Sequence, residues 1–300
     1  MNASLAIGAT LTEGTDAIVV LRDGRVLSYA EHGDPAGIPV LFFHGVMASR
    51  LAVHPDRHVL HALGIRLVAL DRPGYGLSAP HPGRTLRDWA DDVAELVDHL
   101  GLRRFHVLGW SGGGPHAMAC AMAMPGRAIR ASLVSSMGQP GVAASIRDGL
   151  GPNRRLWNLA LRAPDGIVAR AGDLVIRHSQ RFPHRFYRST MARLSEPDQA
   201  VAARPEIKRW VIDYRAEGLR QGTAGIREDA RLLLDPWPFD PKTMDCQVDL
   251  WHGALDYVVP LPLVQHLAEA LPFCTPHLLP TEGHFLLIDR WQEILATLVH

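Results

Sequence analysis

The apolar residues fall into two kinds of pattern, short uninterrupted runs and longer segments with helical spacing. Apolar runs at residues 17–21 and 26–30 flank Asp23-Gly24, a dipeptide typical of a two-residue β-hairpin. Further short runs at 40–43, 66–70, 105–108 and 131–134 predict buried, mostly parallel strands, with helical segments between the last three. The pattern therefore predicts an α/β fold in which helices flank a mostly parallel central sheet.

The clearest helix in the pattern begins at Thr85 and ends near Gly101. Thr85 can cap its first turn, and Asp88 three residues later completes a start that resembles a capping box. Apolar residues recur at helical spacing through this segment, which predicts that Trp89 is a core residue.

The alternation of strands and helices stops between residues 139 and 235. This segment contains several helical patterns and no strong strand run, and three prolines within 235–241 mark a rigid exit. Strand patterns return at 248–253 and 276–279, followed by a helical pattern. We therefore divide the chain into a first core part (1–138), a helical insertion (139–235) and a second core part (236–300).

Charge is unevenly distributed, although the chain as a whole is neutral with 31 Lys and Arg against 31 Asp and Glu. Residues 141–234 hold 17 basic and 10 acidic side chains, an excess of +7. Two explanations are open. The excess basic side chains lie on solvated helix faces, or they attract anionic substrates or an acidic partner. Since the whole chain has no basic excess, we expect no nucleic-acid partner.

The remaining composition indicates an ordinary globular protein. Cys120, Cys246 and Cys274 lack C-x-x-C spacing and are typical of small core residues in a reduced compartment. Residues 1–6 lack the features of a signal peptide, so we expect a cytoplasmic location. No stretch reaches the roughly 18 apolar residues of a membrane span, and the pattern specifies no oligomeric state.

A serine lies between glycines where a predicted strand meets a predicted helix. Gly109-Trp110-Ser111-Gly112-Gly113 follows the apolar run 105–108 and precedes the small-residue stretch 114–124. A G-x-S-x-G pattern in this setting is typical of a nucleophile elbow, a turn so sharp that it needs glycine on either side. The following helix start offers free N–H groups to a developing oxyanion. We therefore predict that Ser111 is a nucleophile.

A serine hydroxyl needs a base, and the base needs an orienting acid. Asp256 follows the strand pattern 248–253, and His284 follows the pattern 276–279. The order Ser111, Asp256, His284 is the one expected for this elbow, and each residue lies just after a strand, where open parallel sheets place their sites. Asp245 and Asp249 are weaker candidates for the acid, since one precedes the strand and the other lies inside it.

At this point the chain resembles the α/β-hydrolase superfamily over nearly its whole length. The matching stretches are Phe42-Phe43-His44-Gly45, residues 71–78 (DRPGYGLS), the elbow, residues 252–256 (HGALD) and Gly283-His284. The resemblance implies that the backbone N–H groups of Val46 and Gly112 form an oxyanion hole and that His44 is structural. It also implies that residues 139–235 are a helical cap inserted between the sixth and seventh strands. Residues 46–50 lack the proline that many relatives have there.

The expected activity is that of a capped serine hydrolase that cleaves small to medium carboxylic esters, with lactones or amides as related substrates. Ser111 would form an acyl-enzyme, with His284 as base and Asp256 as orienting acid, and no metal or organic cofactor is implied. The substrate pocket is predicted at Met47, Trp110, Trp157 and Phe285. We expect the cap to be a lid, whose replacement by a short linker would leave the core folded.

Other classes remain open with the same residues. Members of this superfamily also act as C–C bond hydrolases, as cofactor-free lyases or oxygenases, and as ligand-binding receptors with incidental hydrolysis. A chromogenic ester and a serine-directed phosphonate separate the hydrolases from the receptors.

Overall fold

A single eight-stranded sheet organises the described part of the chain, residues 14–138 and 165–300 of a computed structural model. The strand order is β1-β2-β4-β3-β5-β6-β7-β8. β2 pairs antiparallel with β1 and β4, and all other neighbours are parallel, which confirms the predicted sheet. The strands are β1 (Thr15–Val20), β2 (Val26–Gly33), β3 (Ile38–Phe43), β4 (Ile65–Leu70), β5 (Phe105–Trp110), β6 (Ala128–Val134), β7 (Gln247–Gly253) and β8 (Cys274–Leu279).

The predicted hairpin and the predicted helix after Thr85 are both confirmed. β1 and β2 pair from Thr15 opposite Glu31 to Val20 opposite Val26, and Gly24 has a φ of +87° in the connecting turn. Thr85 caps the helix that follows it, and its side chain and that of Asp88 bind each other's backbone N–H groups. Trp89 is fully buried, as its place in the pattern predicts.

Helices cover both faces of the sheet. The first eight within the described residues are α1 (His58–Ala62), α2 (Leu86–His99), α3 (Gly113–Ala123), α4 (Asp165–Arg181), α5 (Pro183–Met191), α6 (Glu196–Ala202), α7 (Pro205–Gly218) and α8 (Ala224–Leu234). After β7 come α9 (Leu261–Ala270), α10 (Leu286–Asp289) and α11 (Trp291–Val299). No helix in the described ranges is long and apolar enough to cross a membrane.

The core has one layer on each face of the sheet. On one face, Phe43 and Val107 pack against α2 and α3 through residues such as Trp89 and Met118. On the other face, the core includes Trp110 together with residues of α1, α11 and α5 to α7. The helices between β6 and β7 therefore share the core that lies beside the end of β5.

Helices α4–α8, which we call the insertion helices, connect β6 to β7. This is the position expected for the helical insertion, and its described part, residues 165–235, contains no strand. Residues 139–164 lie outside the described ranges. The exit 235–241 has no regular helix or strand before a 3₁₀ turn at Pro241–Thr243, as its prolines predict.

The chain leaves β3, β5, β7 and β8 at one edge of the sheet. Phe43 at the end of β3 lies opposite Gly109, and Gly253 at the end of β7 lies opposite Leu279. Parallel strands present their carboxyl ends at the same edge. The loops that contain residues 44–49, 111–112, 254–260 and 280–285 therefore meet there.

Candidate active site

Ser111 occupies the turn between β5 and α3 in a left-handed backbone conformation. Its φ is +55°, which costs a residue with a side chain about 1–3 kcal/mol unless the surroundings enforce it. Its N–H donates to the carbonyl of Val134 at 2.8 Å, and its carbonyl accepts from Gly114 at 3.1 Å and from Met137 at 3.2 Å. Three backbone hydrogen bonds thus hold the turn in place.

The flanking glycines are required by close packing. A Cβ at position 109 would lie 2.7 Å from the carbonyl oxygen of Gly113. At positions 113 and 114 it would collide with the carbonyl oxygen of Phe43 and with the hydroxyl of Ser136. The sharp turn predicted from the G-x-S-x-G pattern is therefore present, with its glycines where side chains do not fit.

His284 and Asp256 form a buried pair at the same edge of the sheet. His284 Nδ1 lies 2.7 Å from Asp256 Oδ2, so the ring N–H donates to the carboxylate. The other carboxylate oxygen accepts from the backbone N–H groups of Val258 at 2.7 Å and Val259 at 2.9 Å. The carboxylate is thereby fixed, and it fixes the ring in turn. In the neutral ring the remaining nitrogen, Nε2, is then unprotonated and can accept a proton or a hydrogen bond.

One hydrogen bond to the backbone of His284 and one ring contact hold the His284 loop close to the turn of Ser111. The carbonyl of His284 accepts from Ser135 Oγ at 3.1 Å, and the ring of Trp110 lies 6.1 Å from the His284 ring. The hydrogen bonds described for Ser111 are those of its backbone. A hydrogen bond from Ser111 Oγ to His284 Nε2 therefore stays a prediction, since such contacts often form only with substrate bound.

The pKa shifts of His284 and Asp256 both favour the charged form of the side chain. Burial alone would lower the pKa of His284, but the charge and hydrogen bond of Asp256 outweigh it, so that this pKa is raised. Burial alone would raise the pKa of Asp256, but the charge and hydrogen bond of His284, together with His252 and the Val259 N–H, outweigh it, so that this pKa is lowered. His252, buried with its Nδ1 at 3.9 Å from Asp256 Oδ2, has a pKa lowered mainly by burial.

The alternative acids lie elsewhere. Asp249 lies within β7, where its carboxylate pairs with Arg130 at 2.6 Å and His277 at 3.1 Å. Asp245 is exposed and precedes β7. Of the three candidates, the structure brings only Asp256 to His284.

The backbone N–H groups of Val46 and Gly112 lie beside Ser111. A Cβ at position 112 would lie 3.4 Å from Val46 N, and a Cβ at position 45 would lie 3.3 Å from Ser111 Cβ. Within the described residues, neither the Val46 nor the Gly112 N–H has an acceptor. Both are therefore available to a negatively charged oxygen near Ser111.

Arg72 fixes the direction of the Val46 N–H. Its guanidinium donates to the carbonyl of His44 and, at 3.2 Å, to the carbonyl of Gly45. The Gly45 carbonyl and the Val46 N–H belong to one trans peptide group and point in opposite directions. By holding the carbonyl, Arg72 therefore turns the N–H away from itself. No local sequence pattern indicates this contact of Arg72, whose partner Gly45 lies 27 residues earlier in the chain.

His44 has the structural role that was expected. Its Nδ1–H donates to the carbonyl of Gly45 at 2.8 Å, and its Nε2 accepts from the backbone of Arg72 at 3.4 Å. Burial first, and then the charge of Arg72, hold the pKa of His44 well below its ordinary value. The ring is neutral, and both of its nitrogens bind backbone.

Asp229, on insertion helix α8, is the buried counter-charge of Arg72. It pairs with Arg72 at 2.6 Å and with Arg84 at 2.6 Å, and it accepts from Tyr75 Oη at 2.8 Å. Burial alone would raise the pKa of Asp229, but the charges of Arg72, His116 and Arg84 keep it below its ordinary value. Deleting the insertion would leave two buried arginines without this carboxylate. This cluster therefore opposes the expectation that residues 139–235 can be removed without disturbing the core.

The predicted pocket residues have different surroundings. Trp110 is stacked on Trp210 of α7 at 6.1 Å between ring centroids and contacts Phe285 at 6.0 Å. Met47 adjoins Val46 and has a φ of +63°. Trp157 lies outside the described residues. That these side chains touch substrate stays a prediction.

A cavity of about 350 Å³ lies among α4, α5 and α7. Its walls are mostly apolar, with Tyr187 and Leu219 among them, and Arg215 supplies a cation. Arg215 donates to Thr190 Oγ1 at 3.3 Å and is near enough to His284 to lower its pKa slightly. Among the described residues, no group of three His, Cys, Asp or Glu side chains is arranged to hold a metal ion.

Comparisons with known proteins agree with this architecture. The model of the alpha/beta hydrolase family matches residues 40–297. A non-heme chloroperoxidase of Streptomyces lividans is 39% identical over 123 residues, which cover 40% of this chain and 44% of that protein. The uncharacterized hydrolase YcgS of Bacillus subtilis (strain 168) is 22% identical over 89% of this chain and 91% of its own length. The chain thus spans less than half of the first relative and nearly all of the second.

A solved structure extends the similarity to the fold. The esterase EaEST from Exiguobacterium antarcticum has a TM-score of 0.66 with 20% sequence identity, covering 94% of this chain and 97% of that one. With the family match across nearly the whole sequence, the chain belongs to the alpha/beta hydrolase family.

We expect Asp229→Asn to destabilise the fold by about 3–5 kcal/mol, because it leaves Arg72 and Arg84 buried without a counter-charge. Asp235→Asn is the matched control, since Asp235 directly follows the same helix, is 56% exposed and only approaches Arg231 at 3.4 Å. Urea unfolding measures both variants, and the control should change by less than about 0.5 kcal/mol. Equal and small effects of the two variants would contradict the account of Asp229.

Proposed function

We propose that this protein is a serine hydrolase that cleaves carboxylic esters through an acyl-enzyme on Ser111. The observation that carries the proposal is the meeting of three features at one sheet edge. These are the strained turn of Ser111, the 2.7 Å pair of His284 and Asp256, and the free N–H groups of Val46 and Gly112. Nucleophile, base with orienting acid, and oxyanion donors are the parts that acyl transfer needs.

The first half of the reaction forms the acyl-enzyme. Ser111 Oγ attacks the ester carbonyl carbon while His284 Nε2 takes its proton, and the N–H groups of Val46 and Gly112 stabilise the resulting oxyanion. Asp256 holds the Nδ1–H tautomer and stabilises the imidazolium. His284 then returns the proton to the alcohol oxygen as the carbon–oxygen bond breaks, leaving the acyl group on Ser111.

The second half repeats this chemistry with water. His284 takes a proton from the attacking water, a second oxyanion forms in the same hole, and the proton passes to Ser111 Oγ as the acid leaves. The proposed mechanism uses side chains and backbone N–H groups of the protein and needs no metal or organic cofactor. Lactones and amides contain the same acyl group and are the related substrates of this proposal.

Residues 139–235 act as a cap in this proposal. Trp210 and Tyr214 of α7 contact Trp110, whose chain neighbour is Ser111, at 6.1 and 6.2 Å between ring centroids. This contact supports an aromatic surface of the insertion helices near Ser111 and a small or medium-sized, partly apolar substrate. Cys120, Cys246 and Cys274 carry no disulfide, which supports the proposal of a cytoplasmic location.

We expect Ser111→Ala to lower kcat/KM on a chromogenic acetate ester by at least about a thousandfold, because triad members act as a unit. The fold should persist, since a smaller side chain leaves the three backbone hydrogen bonds of the turn in place. Ser132→Ala is the matched control. Ser132 is a buried serine whose hydroxyl has no partner in the described structure, and its loss should leave activity within about twofold of wild type. A Ser111→Ala enzyme that keeps more than about a tenth of the activity would remove Ser111 from the mechanism.

The pH dependence of kcat/KM on a neutral ester follows from the raised pKa of His284. Protonated His284 cannot accept the Ser111 proton, and a raised pKa keeps that form populated to higher pH. Activity should therefore fall as pH decreases, with a midpoint above the ordinary histidine value of about 6.5. The groups that set this midpoint are Asp256, Asp198, Arg215 and the neighbouring His252. A profile that is flat between about pH 5 and 9 would argue against a histidine base.

A further inference from the structure

A buried carboxylate from the insertion helices binds the backbone of the loop that carries His284. Asp198 lies in α6 and is 1% exposed. Its Oδ2 accepts from the N–H of His284 at 2.9 Å, and its Oδ1 accepts from the N–H of Phe285 at 2.7 Å. Each oxygen therefore binds a different peptide group of the same loop. Charge-assisted bonds of this kind are about twice as strong as neutral ones.

Gly283, the residue before His284, leaves room for the carboxylate of Asp198. A Cβ at position 283 would collide with the carboxyl group of Asp198. Glycine is needed at this position because the carboxylate approaches so closely. The loop and the carboxylate are thus fitted to each other at three consecutive residues, Gly283, His284 and Phe285.

The position of Asp198 in its own helix does not account for its orientation. Ser195-x-x-Asp198 at the start of α6 has the spacing of a capping box, in which the acid would bind the backbone of Ser195. Instead, Asp198 turns to the His284 loop, and the Ser195 hydroxyl donates to its Oδ2 at 2.8 Å. Ser195 makes no side-chain hydrogen bond that caps the helix. Both side chains serve the contact between α6 and the loop.

We propose that Asp198 is a positioning residue that fixes the backbone of His284 so that its ring meets Ser111; this inference rests on the proposed function. Asp256 holds one ring nitrogen and Ser135 Oγ binds the His284 carbonyl, but neither holds the N–H groups on the two sides of the His284 α-carbon. Asp198 binds both of these N–H groups from outside the sheet. A misplacement of about 1 Å in a catalytic group can cost a hundredfold in rate.

Asp198 also contributes to the electrostatics of His284. Burial lowers the pKa of His284 most, Asp256 raises it through charge and hydrogen bond, and Asp198 raises it further, while Arg215 lowers it. A second negative charge near the ring stabilises the imidazolium that forms during acyl transfer. Removing the charge should therefore lower the pKa of His284 as well as loosen its backbone.

Two variants separate the contribution of the Asp198 hydrogen bonds from that of its negative charge. Asp198→Ala removes both acceptors and the charge, whereas Asp198→Asn removes the charge but keeps one acceptor oxygen. Glu196→Gln is the matched control, because Glu196 is an exposed acid in the same first turn of α6. Steady-state kinetics on a chromogenic acetate ester and thermal unfolding are measured for each, with rates expressed per folded enzyme.

We expect kcat to fall about 10- to 100-fold in Asp198→Ala, with KM changed less than about threefold, and to fall less in Asp198→Asn. The midpoint of the kcat/KM profile should move to lower pH in both variants and stay in place in Glu196→Gln. An unchanged kcat and midpoint, or a loss that follows only the unfolded fraction, would overturn the positioning role. If Asp198→Ala does not fold, Asp198→Asn decides the question by the same criteria.

A titration of His284 by NMR distinguishes failure of this inference from failure of the proposed function. The His284 ring signal is assigned by its absence in His284→Gln, and its pKa is measured in wild type, Asp198→Asn and Glu196→Gln. A downward shift of about 0.3 units or more in Asp198→Asn alone supports the contact whether or not the protein cleaves esters. Equal pKa values in wild type and Asp198→Asn would contradict it.

Discussion

The left-handed backbone of Ser111 is the constraint on which the rest of the site depends. A serine with a φ of +55° is stable here only because β6 and α3 bind its peptide groups and because glycines stand where side chains would collide. The turn sets where the hydroxyl lies relative to the sheet edge. The loops after β3, β7 and β8 then bring the Val46 N–H, Asp256 and His284 to that place.

The insertion helices take part in this geometry through two buried carboxylates. Asp229 of α8 balances Arg72, which holds the Gly45 carbonyl and so directs the Val46 N–H. Asp198 of α6 binds the peptide groups on both sides of the His284 α-carbon. Charges buried in this way are costly unless every oxygen has a partner, and here they have such partners in the core. Through these contacts the insertion helices stabilise the turn after β3 and the loop that carries His284.

Local patterns predicted the fold and the approach of Asp256 to His284 at one edge of the sheet. The short apolar runs predicted the positions of the strands. The turn at Ser111 was predicted from its neighbouring glycines, and the pairing of Asp256 with His284 from their positions just after two strands. Asp198 and Asp229 were missed because their roles depend on partners 86 and 157 residues away, and no local pattern encodes such contacts. Asp198 even has a local pattern with another meaning, a capping box. Arg72 lies in the stretch 71–78 that carries the family resemblance, but its contact with the turn after β3 is visible only in the fold.

The most direct test of the account is the mass of the intact protein, and of its peptides, after reaction with a serine-directed fluorophosphonate. We predict one adduct per chain, located on the peptide that contains Ser111, and slower labelling below the midpoint of His284 protonation. A folded protein that gains no adduct, or that is labelled on another serine, would contradict the claim that Ser111 is an activated nucleophile.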